Sequence, residues 1–351
     1  MKKIRFSALV LSCALVCGAQ TPSAGVVDVS PRVGVIEVFG ARKVPLHKIL
    51  TALGTKPGDP LPPAEAAEDR INKVSGVLAS RLEAVCCAGG GRMILYVGVE
   101  ERDAPRLEFN PAPTGDARLP NALYDGYLSL LETAEGSIRG HNADEDLTNG
   151  YSLMADPDGR ILQLGFIPLV GANLKLLDQV VRESADPEQR AAAAYLLQYG
   201  PRGRSSKIIA DALQYAVRDQ EDVVRKSAMR ALRAVTVGAK LHPEQDMVIE
   251  PTWFVEMLNS VVWSDRRSAT QELVELTEDR KPATLELMRE RALPSIVEMA
   301  RWQTLDHALP AFILAGRMGG FDEKQIKDAW SSGDRESILS ELTEKKGKKR
   351  K

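Results

Sequence analysis

The sequence predicts a mainly α protein: a right-handed α-solenoid of helical pairs over residues 119–343, preceded by a small α+β domain over 34–102 in the order β-α-α-β-β. Three observations carry this. Two similar helical segments begin at Asp186-Pro187-Glu188-Gln189-Arg190 and at Asp222-Val223-Val224-Arg225. They align with Arg190 on Arg225, Ala193 on Ala228 and Leu197 on Leu232, a period of 35 residues. A fixed period of that size marks units that bury their apolar faces against their neighbours. Ahead of the repeats, Val33-Gly34-Val35-Ile36-Glu37-Val38-Phe39-Gly40 alternates β-branched residues and ends at glycine, which is a strand pattern. Between the two regions, residues 103–118 are Pro-rich and lack periodicity, so they read as a linker.

The first residues form a targeting segment, 1–19. Lys2, Lys3 and Arg5 make a positive start, Phe6 to Val16 an apolar run, and Cys17-Gly18-Ala19 offers the small residues a signal peptidase needs. The apolar run is shorter than a spanning helix requires. Cys13 and Cys17 match a lipid-attachment motif poorly, so an exported chain, periplasmic or extracellular, is the preferred reading and a lipoprotein the alternative. Removing Lys2, Lys3 and Arg5 takes the net charge from −2 to −5. Such a chain has no general attraction for nucleic acid. With 44% hydrophobic and 27% charged residues the chain is globular rather than disordered. Cys86 and Cys87 are adjacent and cannot staple distant segments. They read as two small strand residues, one on each face, with a vicinal disulfide as the alternative.

In chain order, residues 20–33 form a polar linker. The strand ending at Phe39 is followed by a short helix from Pro45 to Leu53, with Leu46, Ile49, Leu50 and Leu53 on one face. After the turn Lys56-Pro57-Gly58-Asp59-Pro60, a helix is predicted from Ala64 to Glu83 on the spacing of Ile71, Val74, Val77 and Leu82. Strands at 83–87 and 92–100 close the unit around the loop Ala88-Gly89-Gly90-Gly91. That loop leads into a strand and lacks the Gly-Lys-Ser/Thr of a phosphate loop.

A helix follows from Asn121 to Thr133, then the polar loop 136–158 with His141, Asp144, Glu145, Asp146, Asp156 and Asp158. Its spacing fits no calcium loop, so it reads as solvated, with helix caps. Asp156-Pro157 and Asp186-Pro187 each place a capping Asp before a Pro whose φ is preset for a helix. Pro168 and Gly171 break the segment to Arg182 into two helices. Residues 236–251 are an insertion between Val223–Val235 and a helix over Thr252–Trp263. Further helical pairs run to Thr343, and 344–351 is a basic disordered tail.

The segments Ile36-Glu37-Val38-Phe39-Gly40, Ile49-Leu50-Thr51-Ala52-Leu53, Lys56-Pro57-Gly58-Asp59-Pro60 and Leu95-Tyr96-Val97-Gly98-Val99-Glu100-Glu101 together resemble a POTRA domain. That resemblance implies a module that binds other polypeptides, often by adding a strand to an open sheet edge. The motifs at Asp186–Leu197 and Val224–Leu232 resemble HEAT repeats. This second resemblance implies a concave surface for protein partners and assigns structural roles, cap, ion pair and register, to Asp156, Arg160, Asp186, Arg190, Asp222 and Arg225. The expected function is a non-enzymatic scaffold or adaptor with protein partners. No catalytic, metal or cofactor residues are proposed, because His47, His141, His242 and His307 are scattered and no nucleophile motif is present. The alternative is a HEAT-like lyase or hydrolase with a pocket invisible in sequence.

Overall fold

Strand β1 (Val33–Phe39) leads through helices α1 (Leu46–Leu53) and α2 (Ala64–Asn72) to strands β2 (Val77–Ala88) and β3 (Arg92–Glu101). The strands lie in the order β1-β3-β2, with β1 parallel and β2 antiparallel to β3. The helix predicted as far as Glu83 stops at Asn72. Gly76 takes a left-handed φ of 94° and turns the chain, so Val77 and Leu82 belong to a strand that starts six residues before the predicted Glu83. On α1, Ile49 and Leu53 are buried but Leu46 and Leu50 are exposed, so the predicted four-residue apolar face is only half covered. The structure joins the adjacent sulfurs of Cys86 and Cys87 in a disulfide at the exposed end of β2, where the sequence reading preferred unlinked cysteines.

The computed structural model describes residues 31–140, 142 and 144–348. The signal segment 1–19 with Cys13 and Cys17, most of the linker 20–33, His141 and residues 349–351 lie outside the described residues. From Pro31 onward the described residues belong to one unit.

The rest is helical. Helix α3 (Asn121–Arg139) and a short hairpin, β4 (Glu145–Asp146) with β5 (Leu153–Met154), precede α4 (Pro157–Glu183). Helix α4 runs unbroken through Pro168 and Gly171, where two helices were predicted. The carbonyl that Pro168 leaves without its helix partner is that of Leu164, and both residues are exposed, so water replaces the missing bond. Then come α5 (Pro187–Leu196), α6 (Ser206–Ala216), α7 (Asp222–Leu241), α8 (Thr252–Met257), α9 (Trp263–Leu276), α10 (Pro282–Arg291), α11 (Leu293–Ala300), α12 (Leu305–Gly319), α13 (Glu323–Ser332) and α14 (Arg335–Lys348). The helix predicted over Thr252–Trp263 therefore ends at Met257, with Trp263 opening α9, and α14 extends to Lys348 into the stretch predicted to be a disordered tail. Helix α5 packs on α4 and α7, α7 on α9, and α9 on α12. Ala191 to Ala194 are all fully buried, and their small side chains let α4 and α7 approach α5 closely.

The sheet has two covered faces. Leu95, Val97 and Val99 of β3 pack with Ile49, Leu53 and Ile71 of the small helices. Ile94 and Tyr96 of β3, with Phe39 of β1, join the core of the helical region instead. Helical residues thus fill the second face of the sheet. The 103–118 segment lies along the helices as well: Asn110 N–H donates to the Arg218 carbonyl (2.7 Å) and Gly115 N–H to that of Glu183 (2.8 Å).

Candidate functional site

A row of buried arginines prepares the site. Arg190, Arg225 and Arg266 stand at one position in successive helices, three residues after the first helical residue of α5, α7 and α9. Each donates to the carbonyl six residues before it: Arg190 to Ser184 at 2.8 Å, Arg225 to Asp219 at 2.9 Å, Arg266 to Ser260 at 2.6 Å. Each also pairs with a carboxylate. Arg190 reaches both oxygens of Asp219 at 2.7 and 2.9 Å. Arg225 holds Asp265 at 2.8 Å, and Arg266 holds Glu298 at 3.0 Å. Asp186 and Asp156 cap α5 and α4, accepting from Glu188 N–H and from Asp158 and Gly159 N–H, all at 3.0 Å. Asp222 departs from its predicted role. It sits in the first turn of α7 without a cap bond, and the pairing runs to Asp219 and Asp265 instead. Arg160 lies near Asp146 without a salt bridge among the described residues.

Near the start of α12, which packs on α9, stands His307, one residue short of the position that the arginines occupy in their helices. Its Nδ1 meets the Tyr96 hydroxyl of β3 at 2.5 Å. Burial holds the His307 pKa below its ordinary value, and nearby Arg267 adds to the effect, so the ring that shares this hydrogen bond with Tyr96 is favoured in its neutral form. Tyr96 stacks on Trp263 with ring centroids 4.6 Å apart, and Phe39 lies 5.9 Å from Trp302. Main-chain bonds complete this junction. Glu37 of β1 accepts from Gln303 N–H at 2.5 Å, just before α12, and Gly40 N–H donates to Glu298 at 3.0 Å. A Cβ on Gly98 would lie 1.8 Å from the Val261 carbonyl oxygen, so β3 and the α8–α9 loop meet this closely only because residue 98 is glycine.

Beside the junction is a cleft of about 630 Å³, walled by the β1–α1 loop, the end of β3, residues 104–109, the start of α7 and the α8–α9 loop. Arg225 and Arg266 form its floor, and the Phe109 ring lies 4.8 Å from the Arg225 guanidinium. Glu101 accepts the N–H groups of Arg42, Lys43 and Val44 at 2.8, 2.6 and 2.7 Å. Burial pushes its pKa up, but these three donors outweigh it and hold the carboxyl below its ordinary value. Ser260, the hydroxyl in the lining, donates to Asp265 at 2.8 Å, while His307 is engaged by Tyr96 outside the cleft.

No family model and no curated protein matches the chain.

A second feature lies on the small sheet. Leu82 N–H points away from β3 and donates to Glu68 at 2.8 Å. Alternate residues of a strand turn their main-chain groups the same way, so Ala84 and Cys86 also face outward. Both are exposed, and neither has a partner on that side among the described residues. The outer edge of β2 is therefore open from Ala84 to Cys86.

The sequence reading found Arg190 and Arg225 and named His307 only as one of four scattered histidines, and it missed Arg266 and the cleft. The signal for Arg266 existed, since Ser260 precedes it by the six residues that separate Ser184 from Arg190, but the longer spacing hid it.

Proposed function

We propose that the chain is a non-enzymatic polypeptide-binding scaffold of an exported or envelope compartment. Its helical region is read as a HEAT-like solenoid and its sheet as a POTRA-like module. The open edge of β2 carries this reading. An unpaired, exposed strand edge is a template for another chain to add a strand, and here the sheet behind it is fixed by a second covered face. The positive-then-apolar start of the chain supports export. Arg225 and Arg266, the buried cations of the cleft floor, are held by carboxylates and carbonyls, a structural arrangement rather than a nucleophile with its base.

The test is a photo-crosslinker at Arg81, beside the edge, in the mature chain exposed to its own envelope fraction, with and without Ala84→Pro. Proline at 84 deletes an outward N–H and obstructs strand addition while leaving the ladder to β3 in place. The expected result is a discrete crosslinked polypeptide that Ala84→Pro abolishes. Crosslinking of equal yield in both proteins sinks the reading.

A further inference from the structure

Helix α7 carries Lys226, Arg230, Arg233 and Lys240 at spacings of four, three and seven residues, one exposed face of the helix. Two of these cations have acidic partners: Arg230 is 2.5 Å from Glu145, and Lys240 is 2.7 and 2.6 Å from Glu275 and Glu278. Lys226 and Arg233 make no salt bridge among the described residues, although Arg233 is near enough to the buried Glu272 carboxyl to lower its pKa. From α9, exposed Arg267 joins them, its guanidinium 5.3 Å from the Trp263 ring and likewise without an acidic partner among the described residues. Arg233 lies close enough to act on Arg267 as a like charge, adding to the effect of burial that lowers its pKa. Two exposed arginines on the packed helices α7 and α9, neither in a salt bridge among the described residues, stand out in a chain where 48 acidic residues outnumber 46 basic ones.

We propose that this open face of α7 and α9 binds an acidic segment of a polypeptide, its carboxylates seated on Lys226, Arg233 and Arg267. The proposal rests on the polypeptide-binding reading above and names the chemistry of one partner region. Charge and spacing choose the occupant. From Lys226 to Arg233 the helix rises about 10 Å, which matches carboxylates about three residues apart in an extended chain. Guanidinium groups pair with carboxylates in a bidentate manner, and the Trp263 face already orients one of them. A nucleic acid carries a charge about every 1.7 Å and needs a long basic track. This track is short, interrupted by Glu145 on Arg230 between Lys226 and Arg233, and bounded by Glu275 and Glu278 at Lys240 and by Asp306, which acts on neighbouring His307.

Fluorescence anisotropy with a labelled peptide bearing Glu at every third position, added to the full mature chain, tests this. Binding is expected to weaken at least about tenfold in Arg233→Gln/Arg267→Gln and to fall as salt rises from about 50 to about 200 mM. Arg139→Gln, a charge change on α3, leaves it unchanged, and so does Ala84→Pro, which separates this proposal from the β2-edge reading. Lys226→Gln/Arg233→Gln repeats the test if the first double variant shows altered circular dichroism. Absence of binding, equal binding by both double variants and the parent, or tighter arginine-dependent binding of a DNA duplex or phosphatidylglycerol vesicles overturns the proposal.

Discussion

Arg225 and Asp265 are 3% and 1% exposed along their side chains, so water screens neither. Replacing Arg225 by Leu leaves the Asp265 carboxylate buried with only Ser260 Oγ as a side-chain donor. Such a change costs about 3–5 kcal/mol, to be read from urea unfolding of the two proteins. A loss below about 1 kcal/mol would show that the pair contributes nothing net. Glu272 behaves differently. Burial raises its pKa to about 7, and its Oε2 has no partner while Thr236 donates to the other oxygen. Between the unfolded carboxyl's value near 4.5 and about 7, the folded chain therefore holds a proton that the unfolded chain has released. Stability from this group is complete below the lower value, falls as pH rises to about 7, and is flat above. Glu272→Gln should remove that fall, so the difference between parent and variant stability grows in the variant's favour from pH 5 to 7, by on the order of 2 kcal/mol. A pH-independent difference refutes it. The arginines at 190 and 225 are legible in the sequence because their spacing equals the repeat. Their acceptors are not, since Asp219 comes from the loop before α7 and Asp265 from the first turn of α9, and the two obey no common period. The longer segment between the start of α7 and the start of α9 stretches the interval from Arg225 to Arg266 to 41 residues and hides Arg266.

Two glycines show how differently the elements of this fold are held. A Cβ at Gly98 would collide with the Val261 carbonyl, whereas one at Gly165, inside α4, meets nothing within 4 Å. Gly98→Ala should lift β3 from the α8–α9 loop and destabilise by about 3 kcal/mol. Gly165→Ala should stabilise by about 0.5–1 kcal/mol through helix propensity. Thermal midpoints moving in opposite directions check both, and a neutral Gly98→Ala would mean that the sheet is not seated as described. The double burial of β3 has a trace in the sequence: Ile94-Leu95-Tyr96-Val97 is apolar without alternation, the signature of a strand covered on both sides. The error at 73–83 has a physical cause too. Ile71, Val74, Val77 and Leu82 satisfy helical spacing, and only the left-handed turn that Gly76 permits separates helix from strand.

For the whole molecule, the junction of Phe39, Tyr96, Trp263, Trp302 and His307 ties the sheet into the helical core. Unfolding followed by tryptophan fluorescence, which Trp263 and Trp302 report from the junction, should coincide with unfolding followed by far-ultraviolet circular dichroism. Separate transitions would show a sheet that melts by itself. The order of strands and helices is legible in sequence because it depends on local periodicity and glycine. The docking of the sheet is not, because it is decided by partners more than 160 residues apart, such as Tyr96 with Trp263. This seating also bears on how ligands are chosen. A sheet that cannot swing holds the β2 edge at one separation from the α7–α9 face. A ligand that engages both meets its second site at an effective concentration in about the millimolar range when its linker matches that span, and gains nothing when the linker is too short. On the proposed reading of both surfaces, the protein would act as a ruler, sorting two-part ligands by the length of chain between their strand and their acidic stretch.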